Sequence, residues 1–333
     1  MPKTIKEIAG ETGVSITTVR LVIGGNAEKY RISPKTRKLV EDYIALHGYV
    51  LHHAARSLKL KRTDTVGFVV PDLGNPFFAH LMAAMERLCR SRNLVLLSAS
   101  TNDDPDLENR TIDNFLARGV DGLIIAPCQR PAHKQLLGRK PRLAVVMVDR
   151  DYDQDRFPAV SSDNVGSSLA LTRRLLGEVE HPVDFLCAYT SLPSISDRIS
   201  GFSAAMGEFG WTNWRDHVHA ADEDSVESGR MLIRRLLNSR GALPGAFITS
   251  SLLVLEGAVQ EVKSVAGSIP DDLLIGTFDD HAMLDFLPNR VYSVRQDENR
   301  LAALAFASIE EQMNGGGAEP RRETVECRIV RRN

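Results

Sequence analysis

Residues 4–22 read Thr-Ile-Lys-Glu-Ile-Ala-Gly-Glu-Thr-Gly-Val-Ser-Ile-Thr-Thr-Val-Arg-Leu-Val, two short helices either side of a turn. Ile5, Ile8 and Ala9 recur at helical spacing on one face. Gly13 permits a sharp reversal, and Ser15 is placed to cap the second helix. Val19 and Val22 turn back toward a core, which leaves Ile16, Thr17 and Arg20 facing outward at the front of that helix. In a helix-turn-helix these are the positions that reach base edges in the DNA major groove. A plain helical hairpin would use the same apolar spacing.

Charge favours the first over the second, although a solvated basic surface without a partner would carry the same charge. Residues 1–62 hold 7 Lys and 5 Arg against Glu7, Glu11, Glu28, Glu41 and Asp42, a net +7, whereas the whole chain is −2. The remaining residues therefore carry −9. A small basic head on an acidic body is expected where the head alone meets phosphates. A third helix follows, with Ser33 as N-cap, Pro34 at its first position and Gly48 just beyond its end. Val40, Tyr43, Ile44 and His47 form its expected buried stripe. The run Tyr49–Lys59 favours a helix but is too short to hold one alone in water, where about 12–15 residues are needed. It reads as a linker that orders only against a template such as DNA.

The body has no apolar run near the ~20 residues of a membrane span, and no secretory apolar core follows Met1-Pro2-Lys3-Thr4. Cysteines 89, 128, 187 and 327 are scattered without metal-ligand spacing and read as small apolar residues of a reducing cytoplasm. No metal or cofactor is expected. From residue 65, short apolar runs alternate with helical patterns: Thr65–Val70, Leu94–Ser98, Gly122–Ala126, Leu143–Val148, Val183–Ala188, Ala246–Thr249, Leu273–Phe278 and Val291–Val294. Continuous hydrophobicity means strands covered on both faces, as in parallel α/β sheets. The expected architecture is α/β: a three-helix headpiece at 1–48, a linker at 49–62, and two doubly wound lobes over 63–333. The lobes divide near Ser161–Asp163, and segments near Val294–Asn299 and Glu319–Arg328 cross back. One lobe then holds about 63–161 and 294–324, the other about 162–293 and 325–333.

Ligands of such sheets bind outside the carboxyl ends of the strands. Polar residues gather there: Asp72, Asn75 and Phe77 after the first run, then Asp149-Arg150, Arg198, Ser250-Ser251, Asp279-Asp280-His281 and Gln296-Asp297. Carboxylates, amides and guanidinium groups over an aromatic floor hold sugar hydroxyls by paired hydrogen bonds, and Arg150 and Arg198 suit a phosphate. Asp and Asn after strands also serve as turn formers, so the weight lies in several strand ends sharing one chemistry.

Over essentially its full length the chain resembles the LacI/GalR family of bacterial transcription regulators. The resemblance is carried by Thr4–Ala9, Gly13–Ser15, Thr18-Val19, Ala55–Leu58, Gly67–Asp72, Asn75–Phe78, Val148–Arg150 and Phe278–Asp280, in that order. Within the family it looks most like the sucrose-operon and fructose-type repressors, through Tyr30–Ser33, Leu192–Arg198, Gly201-Phe202, Leu253–Gly257, Thr277–His281 and Gln296-Asp297. This resemblance implies a cytoplasmic homodimer on a pseudo-palindromic operator, with a two-lobed periplasmic-binding-protein-like effector domain. It places Ile16 and Thr17 on base edges, Ser15 and Thr18 on phosphates, and Leu58 as a minor-groove wedge. Thr4, Arg20, Arg31, His52 and Ala55 complete the expected DNA-facing set. Asp72, Asn75, Phe77, Asp149, Arg150, Arg198, Ser251, Asp279 and Gln296 form the expected effector set, for a sugar or sugar phosphate. Arg20 departs from the family's small residue, and Leu51-His52 from its Pro-Asn at the start of the linker. No heptad tail follows, so a tetramer is not expected.

Two other readings compete. A sugar- or sugar-phosphate-acting α/β enzyme would need a phosphate loop, a nucleophile elbow or a metal motif, and the sequence has none. His281 beside Asp279 and Asp280 is the nearest catalytic cluster. A transport-type sugar-binding protein would carry a secretory signal and no basic headpiece. A dual activator and repressor of carbon metabolism is the variant of the regulator reading.

Overall fold

The computed structural model describes residues 3–49, 62–128, 136, 143–152, 156–316 and 320–333. The chain forms two compact units, residues 1–63 and 64–333.

The first unit is built on caps. Helix α1 (Ile5–Thr12) starts with a capping box in which Thr4 Oγ1 accepts from the Glu7 N–H and Glu7 accepts from the Thr4 N–H at 2.7 Å. It ends at Gly13, whose φ of 66° is the left-handed conformation that makes the turn. Helix α2 (Ile16–Ile23) is capped by Ser15, whose Oγ accepts from the Thr18 N–H at 3.1 Å. Helix α3 (Pro34–His47) has Ser33 as N-cap, Pro34 in its first turn and Gly48 at its end. Ile8, Ala9, Val19, Val22, Ala27 and Val40 form the small core, with Tyr43 and Ile44 against it. His47 is exposed and stacks on Tyr43 instead of joining the buried stripe. Its imidazole gains the solvent that a core of this size cannot replace.

The second unit carries two six-stranded sheets. Strands β1 (Thr65–Val70), β2 (Val95–Ser100), β3 (Gly122–Ile125), β4 (Ala144–Val148) and β5 (Ala159–Ser162) alternate with α4 (Pro76–Ser91) and α5 (Pro105–Ala117). After α6 (Asn164–Leu176) come β6 (Asp184–Ala188), α7 (Pro193–Glu208), β7 (Val218–Ala221), α8 (Val226–Arg240), β8 (Ala246–Thr249), α9 (Leu252–Ala266), β9 (Leu274–Phe278) and β10 (Val291–Arg295). Helix α10 (Glu298–Met313), β11 (Arg322–Val325) and β12 (Arg328–Arg332) complete the chain. The sheet orders are β11-β5-β4-β3-β1-β2 and β12-β10-β9-β8-β6-β7. All pairings are parallel except β10 with β12.

The inner strands β3, β4, β6, β8 and β9 are buried throughout, which is why they read as unbroken apolar runs. Strands β11 and β12 escape that reading because they are edges with exposed, polar residues, and the edge strand β7 because its four residues include His219 and an exposed Ala220. The short β5 has two serines in four residues. The chain passes between the sheets after β5, after β10 and between β11 and β12, so Val294 still belongs to the second sheet. Close helix packing has a local cause. A Cβ on Gly257 of α9 would lie 1.8 Å from the Val226 carbonyl oxygen of α8, and one on Gly229 of α8 would lie 2.1 Å from that of Val254. Each glycine lets the other helix's backbone approach.

Candidate functional site

In the first unit, the exposed face of α2 presents Ile16, Thr17 and Arg20. Ile16 is apolar yet 40% exposed, and nothing in the small core asks for it. Ser15 and Thr18 are joined by a 2.8 Å hydroxyl contact at the helix N-terminus, the end of a helix that favours anions. Thr4 holds the corresponding place at the start of α1. Arg31 is exposed, with φ 55°. His52, Ala55 and Leu58 lie outside the described residues.

In the second unit, a cleft of roughly 470 Å³ of open and enclosed space is lined by Asn75, Phe77, Phe78, Asp149, Arg150, Tyr189, Arg198, Asp224, Ser250, Ser251, Asp279 and Gln296, with Leu192 and Ile195 among its apolar walls. The expected effector residues converge here except Asp72. Asp72 is exposed, and its Oδ1 accepts from the Gly74 N–H at 2.7 Å, the task of a turn former. Asn75 and Ser251 border the cleft while capping α4 and α9, through bonds of 3.0 and 3.2 Å from Phe77 N and Val254 N.

The charged groups are tightly held. Arg150 pairs bidentately with Asp103, and its Nε lies 3.8 Å from Asp149 Oδ2. Arg198 donates from Nε to Asn164 Oδ1 at 2.8 Å and from a terminal nitrogen to the Ser250 carbonyl at 2.7 Å. Its guanidinium lies 4.1 Å from the centre of the Phe278 ring. Gln296 donates to Asp279 at 2.6 Å and accepts from Ser162 of β5, so one amide ties the strand ends of both sheets. Ser251 donates to Asp224. Burial pushes the Asp149 carboxyl above its ordinary range, against the pull of Arg150 and Arg198. Burial does the same at Asp279, against Arg198 and the Gln296 hydrogen bond, and at Asp224, against the Ser251 hydrogen bond. Burial would lower Arg150, but the charges of Asp103 and Asp149 outweigh it and hold its pKa above the usual value.

Asp103, Tyr189 and Asp224 were not among the expected residues. Each follows the carboxyl end of a strand: β2, β6 and β7 respectively. The strand-end rule, applied to every strand, would have reached them, but β7 is not recognisable as an apolar run. His281 has a different task from the one a catalytic cluster would need. Its Nδ1 accepts from the Met283 N–H at 3.1 Å and caps the short 3₁₀ turn Ala282–Phe286. Asp280 beside it is paired with Arg295 and Arg332.

Residues 63–287 match the family model for periplasmic binding proteins and the sugar binding domain of the LacI family, and residues 4–51 match that for bacterial regulatory proteins of the lacI family. The chain belongs to the LacI family. It is 31% identical to the sucrose operon repressor of Klebsiella pneumoniae over 321 residues, 95% of this chain and 94% of that one. It is 30% identical to the fructose operon regulatory protein of Vibrio cholerae, across 91% and 92% of the two chains. Among solved structures, the Cra transcriptional dual regulator from Pseudomonas putida in complex with fructose 1-phosphate superposes with a TM-score of 0.74 at 30% identity, covering 81% of this chain and 99% of that one. This LacI-family chain is thus a DNA-binding transcriptional regulator of carbohydrate genes. Its relatives regulate transcription, which sets the enzyme reading aside. Among the described residues no helix is long and apolar enough to cross a membrane.

Proposed function

We propose that this LacI-family regulator is a repressor of carbohydrate-utilisation genes that a fructose-type sugar or its phosphate releases from an operator. The observation that carries the reading is the pairing, within one chain, of a capped helix-turn-helix with exposed Ile16, Thr17 and Arg20 and a buried cleft of carboxylate, guanidinium and amide groups. A homodimer sets two such helices on the half-sites of a pseudo-palindrome in the cytoplasm. Ile16 and Thr17 meet base edges, where an exposed isoleucine suits a thymine methyl group. Arg20 and Arg31 add base or phosphate contacts, while Ser15, Thr18 and Thr4 hold phosphates at helix N-termini. His52, Ala55 and Leu58 act from the linker. The domain division of the sequence reading, 1–48, 49–62 and 63–333, supplies the parts: a reader, a linker and a sensor.

The sugar class is supported by relatives named for sucrose and fructose operons and by one bound to fructose 1-phosphate. The Pseudomonas relative is a dual regulator, which favours a second reading in which some promoters are activated. Gel shifts with DNA from around the gene, across a salt series, test the first reading. The expected result is a salt-sensitive dimer complex on a pseudo-palindrome, released by fructose, sucrose or fructose 1-phosphate. Run-off transcription from each bound promoter separates repression alone from dual control. A complex indifferent to all three sugars overturns the inducible-repressor reading.

A further inference from the structure

Arg150 lines the cleft, but the residue that holds it does not. Its guanidinium pairs bidentately with Asp103, which is not among the described residues of the cleft wall. Arg150 follows β4 and Asp103 follows β2, and β3 and β1 lie between those two strands in the sheet. The ion pair therefore joins strand ends that are not neighbours.

Asp103 does not cap the helix beside it. That task falls to Asp104, which accepts from the Asp106 and Leu107 N–H groups at 2.8 and 3.2 Å at the start of α5. The turn that carries Asp103 is fixed to the end of β1. The Thr101 N–H donates to the Val70 carbonyl at 2.9 Å, and the Asn102 N–H to the Pro71 carbonyl at 2.7 Å. Asn102 and Asp103 are both left-handed, with φ of 51° and 55°, a conformation that Asn and Asp adopt more readily than other residues with a side chain. The Asp103 carboxylate thus reaches Arg150 from an anchored turn.

This pairing decides what Arg150 can present. Both terminal nitrogens face Asp103, which leaves Nε as the nitrogen without a hydrogen-bond partner among the described residues. Nε is buried and lies 3.8 Å from Asp149 Oδ2. A buried, unpaired donor is costly until a ligand oxygen accepts from it. A long side chain also loses rotamer freedom when it is fixed, and Asp103 imposes that order before any ligand arrives.

We propose that Asp103 is a positioning residue of the effector site. It holds the Arg150 guanidinium so that Nε–H is presented to the ligand, and it does not touch the ligand itself. The inference rests on the reading of this cleft as the effector site. It asks of the ligand only an acceptor oxygen, which a sugar hydroxyl and a phosphate ester both supply.

Calorimetry of the full-length protein with fructose, sucrose and fructose 1-phosphate at neutral pH, beside Asp103→Asn, Arg150→Gln and the double variant, tests the proposal. Asp103→Asn keeps the shape and the left-handed backbone and removes the charge. It should weaken each ligand that binds by roughly tenfold, the order expected for loss of a charge-assisted hydrogen bond. In the Arg150→Gln background the same substitution should change affinity by less than about twofold, because the group it acts through is gone. Asp104→Ala is the structural control: it loses the α5 cap and should lower the melting temperature while leaving ligand affinity unchanged. Losses that multiply in the double variant overturn the proposal, as does unchanged affinity in Asp103→Asn. Tighter binding of fructose 1-phosphate by Asp103→Asn also overturns it, since Asp103 would then compete with the ligand for Arg150. Binding of none of the three by the unaltered protein overturns the effector-site reading and the proposal with it, a failure distinct from a multiplicative double variant.

Discussion

Asp149 and Asp279 occupy matching positions, each one residue beyond the carboxyl end of the fourth strand of its lobe, each with a left-handed backbone. Both are buried, and in both burial is the largest influence on the carboxyl, pushing its pKa up. The folded, empty protein thus holds their protons more tightly than the unfolded chain does. Their contribution to stability is greatest at low pH and declines as pH rises from the ordinary carboxylate range, about 4, through the raised folded values. Asp149→Asn and Asp279→Asn should each raise the melting temperature of the empty protein near neutral pH while weakening fructose or sucrose binding. Thermal melts across pH 4–8 check this, with the two variants gaining most at the alkaline end.

Asp184 has the opposite sign. Burial pushes this carboxyl up, but hydrogen bonds from His219 and Arg240 and the Arg240 charge hold it below its ordinary value. Arg240 donates to its two oxygens at 2.6 and 2.8 Å, and His219 at 2.8 Å. The stability it contributes is complete above the unfolded carboxylate value and is lost as pH falls through the depressed folded one. Asp184→Asn should cost about 2 kcal/mol near neutral pH, since the Arg240 side chain is 37% exposed and keeps some solvent. The deficit should vanish in acid, where chemical denaturation would find the two proteins alike.

Much of this was legible in the sequence because burial and period are local signals. The caps Thr4, Ser15 and Ser33 and the glycine turn at Gly13 lie where their residue types place them. The inner strands announce themselves because both faces are covered. Edge strands such as β11, Arg-Glu-Thr-Val, do not, since three of those residues meet solvent. Asp224 follows β7, whose four residues give no clear apolar run, and Asp103 follows a recognisable strand but takes its role from pairing with Arg150 across strand ends, which is not a local property. Asp72 shows the converse. Its place after β1 suited a ligand contact, but its carboxylate is satisfied two residues on by Gly74.

Arg198 is both a wall of the cleft and a clamp on α6 and β8, through Asn164 and the Ser250 carbonyl. Arg198→Ala leaves both acceptors without their donor and removes the cation over Phe278. Sugar binding should be lost, and the second unit should be destabilised by about 2–4 kcal/mol. Calorimetry and melting curves read the two effects separately. Unchanged sugar affinity would remove Arg198 from the site.

Thr17 and Lys6 are expected to fail differently. Thr17, exposed at the front of α2, should on substitution by Ala change which base is preferred at one position of each half-site, with a discrimination of about 1–3 kcal/mol. Lys6→Ala should weaken all sequences alike and flatten the salt dependence by about one unit of slope. Gel shifts on a set of single-base operator variants distinguish the two patterns. A uniform loss in both would take Thr17 out of direct readout.

The central claim is that occupancy of the cleft governs the hold on DNA. A ligand can shift that balance only by the difference in its affinity for the two states, and the coupling must be equal in both directions. Calorimetric titration of the tightest-binding sugar into the full-length protein, free and saturated with operator, measures it directly. The account predicts weaker sugar binding on the operator complex by a factor of roughly 5–150, matching the loss of operator affinity that saturating sugar produces. Equal sugar affinity with and without operator would contradict it.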